Sequence, residues 1–387
     1  MQKHVFIIGS KGIPANYGGF ETFVDRLTSG QENKNIAYHV ACIAARDGIS
    51  DYNGVECFNI KVPNVGPAKA VLYDVKAANM CIKYLKEHSG IKNPVLYVLA
   101  CRLGPFFKQI VDKWHALGGE VYVNPDGHEW KRAKWSAPVR AYWKWSERLM
   151  VKRADLLICD SKEIEKYIQK DYERYSPDTC FISYGTDINS KKICESEEYE
   201  SWASGRGLRK KEYYLIVGRF VPENNFETII LEFMKSNTPK KLAIITTSND
   251  KLMNEIQRRT NFRSDERIVF AGTVYDKELL GIIRENAYGY IHGHEVGGTN
   301  PSLLEALGTT DLNLLYRVGF NYEVADSAAL YWTKDPGDLA ELINRCENMS
   351  SDRITEYGNK AKKRMKELYT WDLIIHAYED LFINRKG

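Results

Sequence analysis

The chain has 387 residues, of which 44% are hydrophobic and 27% are charged, and its formal net charge is +3. This composition predicts a globular protein of two or three domains, and so small a net charge gives no argument for a nucleic-acid-binding protein. The eight cysteines show neither CxxC pairs nor the spacing of metal ligands, so we expect reduced thiols in a cytosol. No run of 18 apolar residues occurs, which predicts that no helix spans a membrane, and the apolar run within 1–9 is expected to be a strand rather than a signal peptide.

The first predicted strand, over 4–10, leads into the glycine-rich loop KGIPANYGGFE and then into a helix over 20–28. The spacing of this loop is not the GxGxxG of a dinucleotide-binding site. Gly18 and Gly19 let a ligand approach the backbone, and Glu21 falls in the first helical turn. The alternative is an ordinary structural turn, since glycine pairs are common in turns.

Strand-like and helix-like segments then alternate through the first half of the chain. Strands are predicted over 36–44, 55–63, 94–100, 120–126, 155–161 and 179–185, and helices over 69–88, 104–117 and 162–172. Such alternation predicts a parallel sheet covered by helices, in which ligands bind at the carboxyl ends of the strands. The loops that we expect around one cleft are 11–21, 101–104, 125–130 and 184–187.

Residues 129–153 combine basic side chains with tryptophans. From Lys131 to Arg153 there are eight basic residues and one acidic residue, and four tryptophans lie in or beside this run. Four of the basic residues are spaced to form one stripe on a helix: Arg140, Lys144, Arg148 and Lys152. The pattern is typical of an interfacial helix on an anionic membrane, and the alternative is a helix whose tryptophans pack into the core. No nucleic-acid motif accompanies the run, so we expect no nucleic-acid partner.

The polar segment 187–211 is interpreted as the connection between a domain over 1–200 and a domain over 201–368. The second domain shows the same alternation. Strands are predicted over 213–220, 241–247, 267–273, 288–292, 312–317 and 329–333, and helices over 226–235, 251–260 and 276–286. A last helix is predicted over 370–384, where the apolar spacing is helical and an N-cap residue precedes it.

The stretch His292–Gly308 reads as a strand end, a glycine turn and a helix. Gly297 and Gly298 allow a sharp turn, Thr299 or Asn300 is a suitable N-cap, and Pro301 fits the first helical position. A helix N-terminus that follows glycines presents free N–H groups and a partial positive charge, as a phosphate requires. One turn inside the helix, the carboxylate of Glu305 is placed where a sugar hydroxyl could donate a hydrogen bond to it. The alternative is an ordinary strand–turn–helix junction.

Gly218 and Arg219 end the first strand of the second domain, so we expect them near this turn. Arginine pairs with a diphosphate in a bidentate way, and the alternative is that Arg219 is an ordinary surface arginine. His292 and His294 alternate along the strand end as metal ligands do, but no third ligand accompanies them, and we expect no metal site.

These motifs resemble a known family. The two α/β domains, Gly218-Arg219 and the turn leading to Glu305 look like a GT-B glycosyltransferase of family 4, and the likeness covers essentially the whole chain. Four motifs are similar to a bacterial subgroup that includes rhamnosyltransferases of surface polysaccharide synthesis: GIPANYGGFE (12–21), DGHEWKR (126–132), GRFVPENNF (218–226) and HEVGGTNPSLLEA (294–306). The resemblance implies two doubly wound, Rossmann-like parallel-sheet domains facing a central cleft, and a C-terminal helix within 369–387 that returns to the first domain.

The resemblance also implies roles for individual residues. The second domain holds a nucleotide-sugar donor through Arg219, Gly297, Gly298, Thr299, Asn300 and Glu305, with Gly18 and Gly19 contributing from the first domain. Arg219 and Glu295 are expected to act at the reacting sugar and its diphosphate. Our own candidate for assisting or orienting the acceptor hydroxyl is Asp126, with His128 and Glu129 as weaker candidates from the same loop, and the alternative is that Asp126 is an ordinary turn aspartate in NPDG. The expected acceptor or membrane contacts are His128, Lys131, Arg132, Trp135, Arg140, Lys144 and Arg148.

The sequence departs from the family pattern at two positions. The family pairs its ribose-binding glutamate with another glutamate eight residues earlier, where this chain has Gly297, and Glu295 lies two positions further upstream. The lysine that usually follows the arginine is replaced by Asn224 or Asn225, so that the diphosphate charge rests on Arg219, backbone amides and Lys11.

The resulting hypothesis is a retaining rhamnosyltransferase. It moves L-rhamnose from dTDP-rhamnose to a lipid-diphosphate-linked sugar such as GlcNAc-diphospho-undecaprenol, with no metal, on the cytoplasmic face of the plasma membrane, which it contacts through residues 130–153. One alternative is a GT-B transferase with a UDP-hexose donor. The other is a non-catalytic, membrane-associated protein that binds a nucleotide sugar.

Overall fold

The computed structural model describes residues 2–15, 18–188 and 196–385. It divides into two compact units, the first formed by Met1–Gly185 with Trp371–Gly387 and the second by Thr186–Thr370. The sequence-based domain boundary was residue 200, so the start of the second unit lies earlier in the chain than expected. Asn16, Tyr17 and residues 189–195, which include Cys194 and part of the predicted connection, lie outside the described residues.

The described part of the first unit contains one eight-stranded sheet with helices between its strands. Its strands are β1 Lys3–Ile8, β2 Ile36–Ile43, β3 Gly48–Tyr52, β4 Val55–Ile60, β5 Val95–Leu99, β6 Glu120–Asn124, β7 Leu156–Cys159 and β8 Thr179–Phe181. Its helices before the second unit are α1 Gly19–Ser29, α2 Lys69–Glu87, α3 Gly104–His115, α4 Ala137–Val151 and α5 Lys162–Asp171. The strand order is β3-β4-β2-β1-β5-β6-β7-β8, and only β3 pairs antiparallel among the strands described.

The described part of the second unit contains a six-stranded parallel sheet in the order β11-β10-β9-β12-β13-β14. Its strands are β9 Tyr213–Val217, β10 Lys241–Ile245, β11 Ile268–Gly272, β12 Gly289–His292, β13 Asn313–Tyr316 and β14 Leu330–Trp332. Its helices are α6 Glu197–Ser204, α7 Phe226–Lys235, α8 Asp250–Thr260, α9 Lys277–Asn286, α10 Pro301–Thr309, α11 Gly319–Ala325, α12 Asp338–Glu347 and α13 Ser351–Leu368.

The last helix, α14 Trp371–Asn384, packs within the first unit. The hydroxyls of Tyr378 and Tyr97 on β5 are 3.0 Å apart, and Phe382 is fully buried. The Glu379 carboxylate accepts hydrogen bonds from the backbone N–H groups of Glu32 and Asn33. Apolar burial and a paired carboxylate together anchor this helix on the sheet of the first unit.

Helix α6 and strand β3 are among the elements that were not predicted from the sequence. Helix α6 lies in the segment that was interpreted as a polar connection. Its buried side consists of Tyr199, Trp202 and Ala203, and the stretch around them is acidic, so that the apolar pattern was too weak to predict a helix. Strand β3 is exposed along most of its length and pairs with β4, so it shows no alternation of apolar residues. Both elements depend on tertiary contacts more than on a periodic pattern.

The order of the strands fixes where a ligand is expected in each unit. In a doubly wound sheet, the crevice lies where the strand order reverses, outside the carboxyl ends of the strands. That point falls between β1 and β5 in the first unit and between β9 and β12 in the second.

Candidate active site

The glycine turn of the second unit follows β12, directly at this point of reversal. Gly297 has φ 143°, a conformation that side chains other than glycine rarely adopt. Asn300 is the N-cap of α10, and its Oδ1 accepts a hydrogen bond from the Ser302 backbone N–H at 2.9 Å. Pro301, the first helical residue, has no N–H group, and the N–H groups of Leu303 and Leu304 donate to the Asn300 carbonyl at 3.0 and 3.2 Å. Asn300 therefore satisfies the first turn of α10, and the feature that this helix offers to an anion is the positive end of its dipole.

The Glu305 carboxylate on α10 forms an ion pair with a buried arginine from α9. Arg284 Nη2 lies 2.6 Å from Glu305 Oε2, and the Arg284 side chain is 4% exposed whereas that of Glu305 is 45% exposed. Arg284 also donates to Ser302 Oγ at 3.2 Å, and this hydroxyl lies 3.2 Å from the Tyr290 hydroxyl. The network fixes the orientation of a carboxylate that stays accessible to a ligand.

Sequence reasoning missed Arg284. It lies on the buried side of α9, where a single cation among apolar residues is the only signal in the sequence. A buried arginine needs an anionic or hydrogen-bonded partner, and that requirement marks it as a residue that serves a nearby site.

Arg219 follows β9, the strand beside β12, and its side chain is exposed. Its carbonyl accepts a hydrogen bond from Asn224 Nδ2 at 2.7 Å, and Asn224 Oδ1 lies 2.8 Å from His294 Nδ1. Asn225 Nδ2 donates to the Gly293 carbonyl at 2.7 Å. The two asparagines therefore tie the loop after β9 to the loop after β12.

Glu295 precedes the glycine turn and is held from two directions. Its backbone N–H donates to the Glu223 carbonyl at 3.0 Å, and its carboxylate pairs with Lys334, which follows β14. The Glu295 side chain is 26% exposed. Lys334 adds a cation that the sequence motifs did not indicate, although its position just after a predicted strand is a usable signal.

Neither histidine of this region forms a metal-binding cluster. Burial lowers the pKa of His292 to about 3, so this ring is neutral above that pH. His294 hydrogen-bonds Asn224 as described above. No cluster of histidine, cysteine, aspartate or glutamate residues suited to a metal occurs within residues 2–15, 18–188 and 196–385.

In the first unit, Gly18 forms the N-cap of α1 with φ 132°, and a Cβ at this position would collide with the Glu21 carboxylate. Glu21 Oε1 accepts a hydrogen bond from the Lys11 backbone N–H at 2.9 Å. Gly19 is exposed, and a Cβ there would meet no atom within 4 Å. The Glu21 carboxylate thus connects the first turn of α1 to the loop that follows β1, and Gly19 leaves open space at the start of the helix.

Arg102, at the end of β5, connects both sides of this reversal point. Its Nε lies 2.7 Å from Asp74 Oδ2, and its guanidinium donates to the Gly9 carbonyl after β1. Burial raises the pKa of Asp74 to about 6, and Arg102 opposes that rise. The pair positions the loops that follow β1 and β5.

Asp126 follows β6 in a left-handed conformation with φ 59°. Its Oδ1 accepts a hydrogen bond from the Gly127 N–H at 2.8 Å and lies 4.0 Å from Arg132 Nη2, and its side chain is 22% exposed. Burial and the nearby Glu129 raise the pKa of Asp126. A partly exposed carboxylate with a raised pKa is suited to hydrogen-bond a substrate hydroxyl.

Glu129 bonds several basic and aromatic side chains, among them Arg132 and Trp135, which were predicted to contact the acceptor or the membrane. Although burial opposes it, Arg132 and Lys134 lower the pKa of this carboxyl. Lys134 Nζ lies 2.7 Å from Glu129 Oε1, and Trp135 Nε1 donates to the same oxygen at 2.8 Å. Arg132, Lys134 and Trp135 are therefore held by an internal carboxylate.

Helix α4 does not present one uniform basic stripe. Arg140 and Arg148 are exposed, and Arg148 Nε donates to the Tyr175 hydroxyl at 2.9 Å. Lys144, in contrast, lies over the rings of Trp130, Tyr167 and Tyr172 at 4.7, 4.7 and 4.9 Å. Of the tryptophans at 130, 135, 143 and 145, Trp145 alone is exposed, at 49%. Residues 129–153 thus fit both interpretations of the sequence in part, since some of their basic and aromatic side chains are exposed and others are packed against the first unit.

The fold and the two reversal points define an α/β protein with two Rossmann-like units. Comparison with known proteins agrees. A family model described as a domain of unknown function, DUF1972, matches residues 2–187. A protein of Methanocaldococcus jannaschii named as an uncharacterized glycosyltransferase is 24% identical over 391 residues, which cover 94% of each chain.

Solved structures resemble the whole chain. Sucrose-phosphate synthase from Thermosynechococcus elongatus matches with a TM-score of 0.77 at 15% identity and covers 100% of both chains. The Anabaena protein HepE in complex with UDP and glucose matches with a TM-score of 0.71 at 12% identity, again over 100% of both chains. These likenesses confirm the predicted fold class, which is the GT-B arrangement of two parallel-sheet Rossmann-like domains.

Among the described residues, no helix is long and apolar enough to cross a membrane.

Proposed function

We propose that this chain is a retaining glycosyltransferase whose second unit binds a nucleotide-sugar donor. The observation that carries the proposal is the arrangement at the β9/β12 reversal point. There, the capped N-terminus of α10 and the exposed Arg219 follow neighbouring strands, and Glu305 is oriented on the first turns of α10 by Arg284. The exposed guanidinium of Arg219 and the positive end of the α10 dipole, next to an accessible carboxylate, suit a ligand that contains a diphosphate and a ribose.

Each group has a role in the proposed reaction. Arg219 and the backbone around Gly297, Gly298, Thr299 and Asn300 stabilise the negative charge of the leaving diphosphate, and Glu305 accepts hydrogen bonds from the ribose. Glu295, oriented by its ion pair with Lys334, binds hydroxyls of the transferred sugar. Gly18 and Gly19 leave room for the donor at the start of α1.

We assign the acceptor to the first unit. Asp126 orients the acceptor hydroxyl, and the donor phosphate takes its proton in a front-face attack that retains the configuration. Arg140, Arg148 and the exposed Trp145 rest on the anionic inner face of the plasma membrane, where each cation contributes about 1 kcal/mol.

The proposed donor is dTDP-rhamnose and the proposed acceptor is a lipid-diphosphate-linked sugar, as the motif resemblance implies. The second candidate is a transferase with a UDP-hexose donor, and the likeness to a structure with bound UDP and glucose favours it. Binding to the native state raises its stability by roughly 2.7 kcal/mol at a hundredfold excess over the dissociation constant.

The test is a thermal-shift titration of the wild type, Glu305→Ala and the control Glu341→Ala with dTDP, UDP and GDP. Glu341 is an exposed carboxylate in the first turn of α12. Stabilisation by dTDP that only Glu305→Ala loses supports the site and the donor. A preference for UDP moves the donor to the second candidate, and the absence of a shift with any nucleotide refutes the donor site.

Transfer itself is measured with dTDP-rhamnose and UDP-glucose on a lipid-linked acceptor. Product formed from UDP-glucose but not from dTDP-rhamnose refutes the rhamnose assignment. A protein that binds nucleotide but transfers neither sugar, with activity equally absent in the wild type, Glu295→Ala and Arg219→Ala, fits the non-catalytic alternative.

A further inference from the structure

An open groove of about 400 Å³ lies on the first unit, lined by Trp130, Lys131, Arg140, Ala141 and Lys144. Three of these residues carry a positive charge, and they come from two separate parts of the chain. Lys131 belongs to the short turn after β6, whereas Arg140 and Lys144 lie one helical turn apart on α4. The groove is therefore formed by the fold and not by a single basic stretch.

The indole of Trp130 contacts two ammonium groups of the groove. Lys131 Nζ lies 5.1 Å and Lys144 Nζ 4.7 Å from the centre of this ring. The negative face of the indole attracts each of these ammonium groups. Lys144 is further neutralised by Glu147 and Asp171, at 3.4 and 3.6 Å.

Lys131 and Arg140 differ from Lys144 in this respect. Within the part of the chain that the structure describes, no carboxylate forms an ion pair with Lys131 or Arg140. The neighbouring basic residues differ in this respect, because Arg132 and Lys134 are bound by Glu129. Burial together with Lys131 and Lys144 lowers the pKa of His128 to about 4, which agrees with a positive potential at this side of the unit.

We infer that this groove binds a diphosphate group through Lys131, Arg140 and Lys144, with Trp130 as its floor. The inference rests on the proposed function in one respect, since it identifies the group as the diphosphate of the lipid-linked acceptor. A diphosphate has several oxygens and more than one negative charge, so that it can contact converging cations from different elements at once. A flat anionic membrane surface requires only outward-facing charges and no groove.

The experiment measures binding of soluble probes by calorimetry. The probes are geranyl diphosphate, geranyl monophosphate and inorganic pyrophosphate, with the wild type and the variants Lys131→Ala, Arg140→Ala and Lys152→Ala. Lys152 is the matched control, because it is exposed at the end of the same helix and lies over the Tyr175 ring, outside the groove. Each groove variant is expected to weaken diphosphate binding about threefold to tenfold, as loss of one partly exposed ion pair or charged hydrogen bond does.

The outcomes separate the possible sources of the diphosphate. Tighter binding of geranyl diphosphate than of pyrophosphate, weakened by Lys131→Ala and Arg140→Ala but not by Lys152→Ala, supports an acceptor subsite. Equal binding of both diphosphates with the same variant pattern supports the diphosphate site and places its recognition in the phosphates alone. No binding of either diphosphate, or equal weakening by Lys152→Ala, overturns the inference.

A second experiment measures binding of the protein to vesicles of phosphatidylglycerol. Binding to vesicles without binding to either soluble diphosphate overturns the inference, because it leaves only a charged membrane surface. Failure of the proposed function is measured separately by the nucleotide titration, since Glu305 and the donor site belong to the second unit. A chain that binds dTDP but no diphosphate probe refutes only the groove, and a chain that binds diphosphate but no nucleotide refutes only the donor site.

Discussion

Arg284 and Glu305 form an ion pair whose two members differ greatly in burial, and this difference predicts unequal effects of removing them. Arg284 is 4% exposed and Glu305 is 45% exposed. Removing Glu305 leaves the buried Arg284 cation with the Ser302 hydroxyl as its side-chain partner among the described residues, whereas removing Arg284 leaves a carboxylate that water can solvate. We therefore expect Glu305→Ala to destabilise the second unit more than Arg284→Met does.

The magnitudes follow from the burial. Loss of one partner from a buried pair costs roughly 3–5 kcal/mol, and we expect about 3 kcal/mol for Glu305→Ala because this pair is half accessible. For Arg284→Met we expect about 1 kcal/mol, since methionine preserves much of the apolar stem. In a unit of this size, about 1 kcal/mol shifts the melting temperature by roughly 2–4 °C.

The double variant provides the sharper comparison. In the Glu305→Ala background, Arg284→Met removes the buried, unpaired cation, so the double variant should be more stable than Glu305→Ala alone. For dTDP binding we expect Glu305→Ala to raise the dissociation constant about tenfold or more. Arg284→Met should raise it less, and it should add little once Glu305 is absent, because Arg284 acts through the orientation of that carboxylate.

The assays are differential scanning calorimetry for stability and calorimetric titration with dTDP for affinity, each compared with Arg258→Met. Arg258 is an exposed arginine on α8 and controls for the loss of a charge. Two results would refute the proposed roles of Arg284 and Glu305. One is that Arg284→Met destabilises the protein as much as Glu305→Ala does, and the other is that the effects of the two substitutions on dTDP affinity are additive in the double variant.

Three further predictions concern neighbouring residues. Lys334→Met should raise the KM for the sugar nucleotide without changing affinity for free dTDP, because its partner Glu295 is proposed to contact the sugar; a change in both would contradict that placement. Asn224→Ala should weaken dTDP binding about threefold by releasing the Arg219 carbonyl and His294, and an unchanged affinity measured by titration would argue against this role. Burial lowers the pKa of His292 from 6.5 to about 3, so the unfolded chain binds this proton first as the pH falls, and the free energy of unfolding should decrease between about pH 6.5 and 3. In urea unfolding, His292→Gln should lose part of this pH dependence relative to the wild type, and an identical slope would show that His292 is not responsible.

The sequence was sufficient for the elements whose apolar residues recur regularly. The helix at Phe226–Lys235 has the bounds that its pattern predicted. Strand β5 was recognised because its residues form one continuous apolar run, all of which is buried in the structure. The turn at Gly297 was predictable, and the N-cap was narrowed to Thr299 or Asn300, of which the structure uses Asn300, because only a few residue types tolerate such backbone positions. Local chemistry therefore determined these parts of the candidate site.

Partners from distant parts of the chain were not predictable in this way. Arg284 meets Glu305 and Lys334 meets Glu295 through the packing of different helices and strands, and no spacing in the sequence encodes those encounters. The basic run at 130–153 shows the same limit. Its composition predicted one basic surface, whereas the fold assigns Arg132 and Lys134 to Glu129 and leaves Lys131 and Arg140 facing the groove.

The loop after β9 shows how this chain differs from the pattern it resembles. Where the family has a lysine, Asn224 carries no charge but bonds both the Arg219 carbonyl and His294, and Asn225 bonds the Gly293 carbonyl. A lysine adds attraction to a diphosphate, which salt screens, whereas the asparagines fix in place the two loops that are proposed to bind the donor. If Arg219 is the main cation at the diphosphate, affinity for the nucleotide depends chiefly on preorganised backbone N–H groups, whose contribution is less sensitive to salt. The loss of a charge at this position is thus compatible with an intact donor site, because the replacement residues hold the loops that form it.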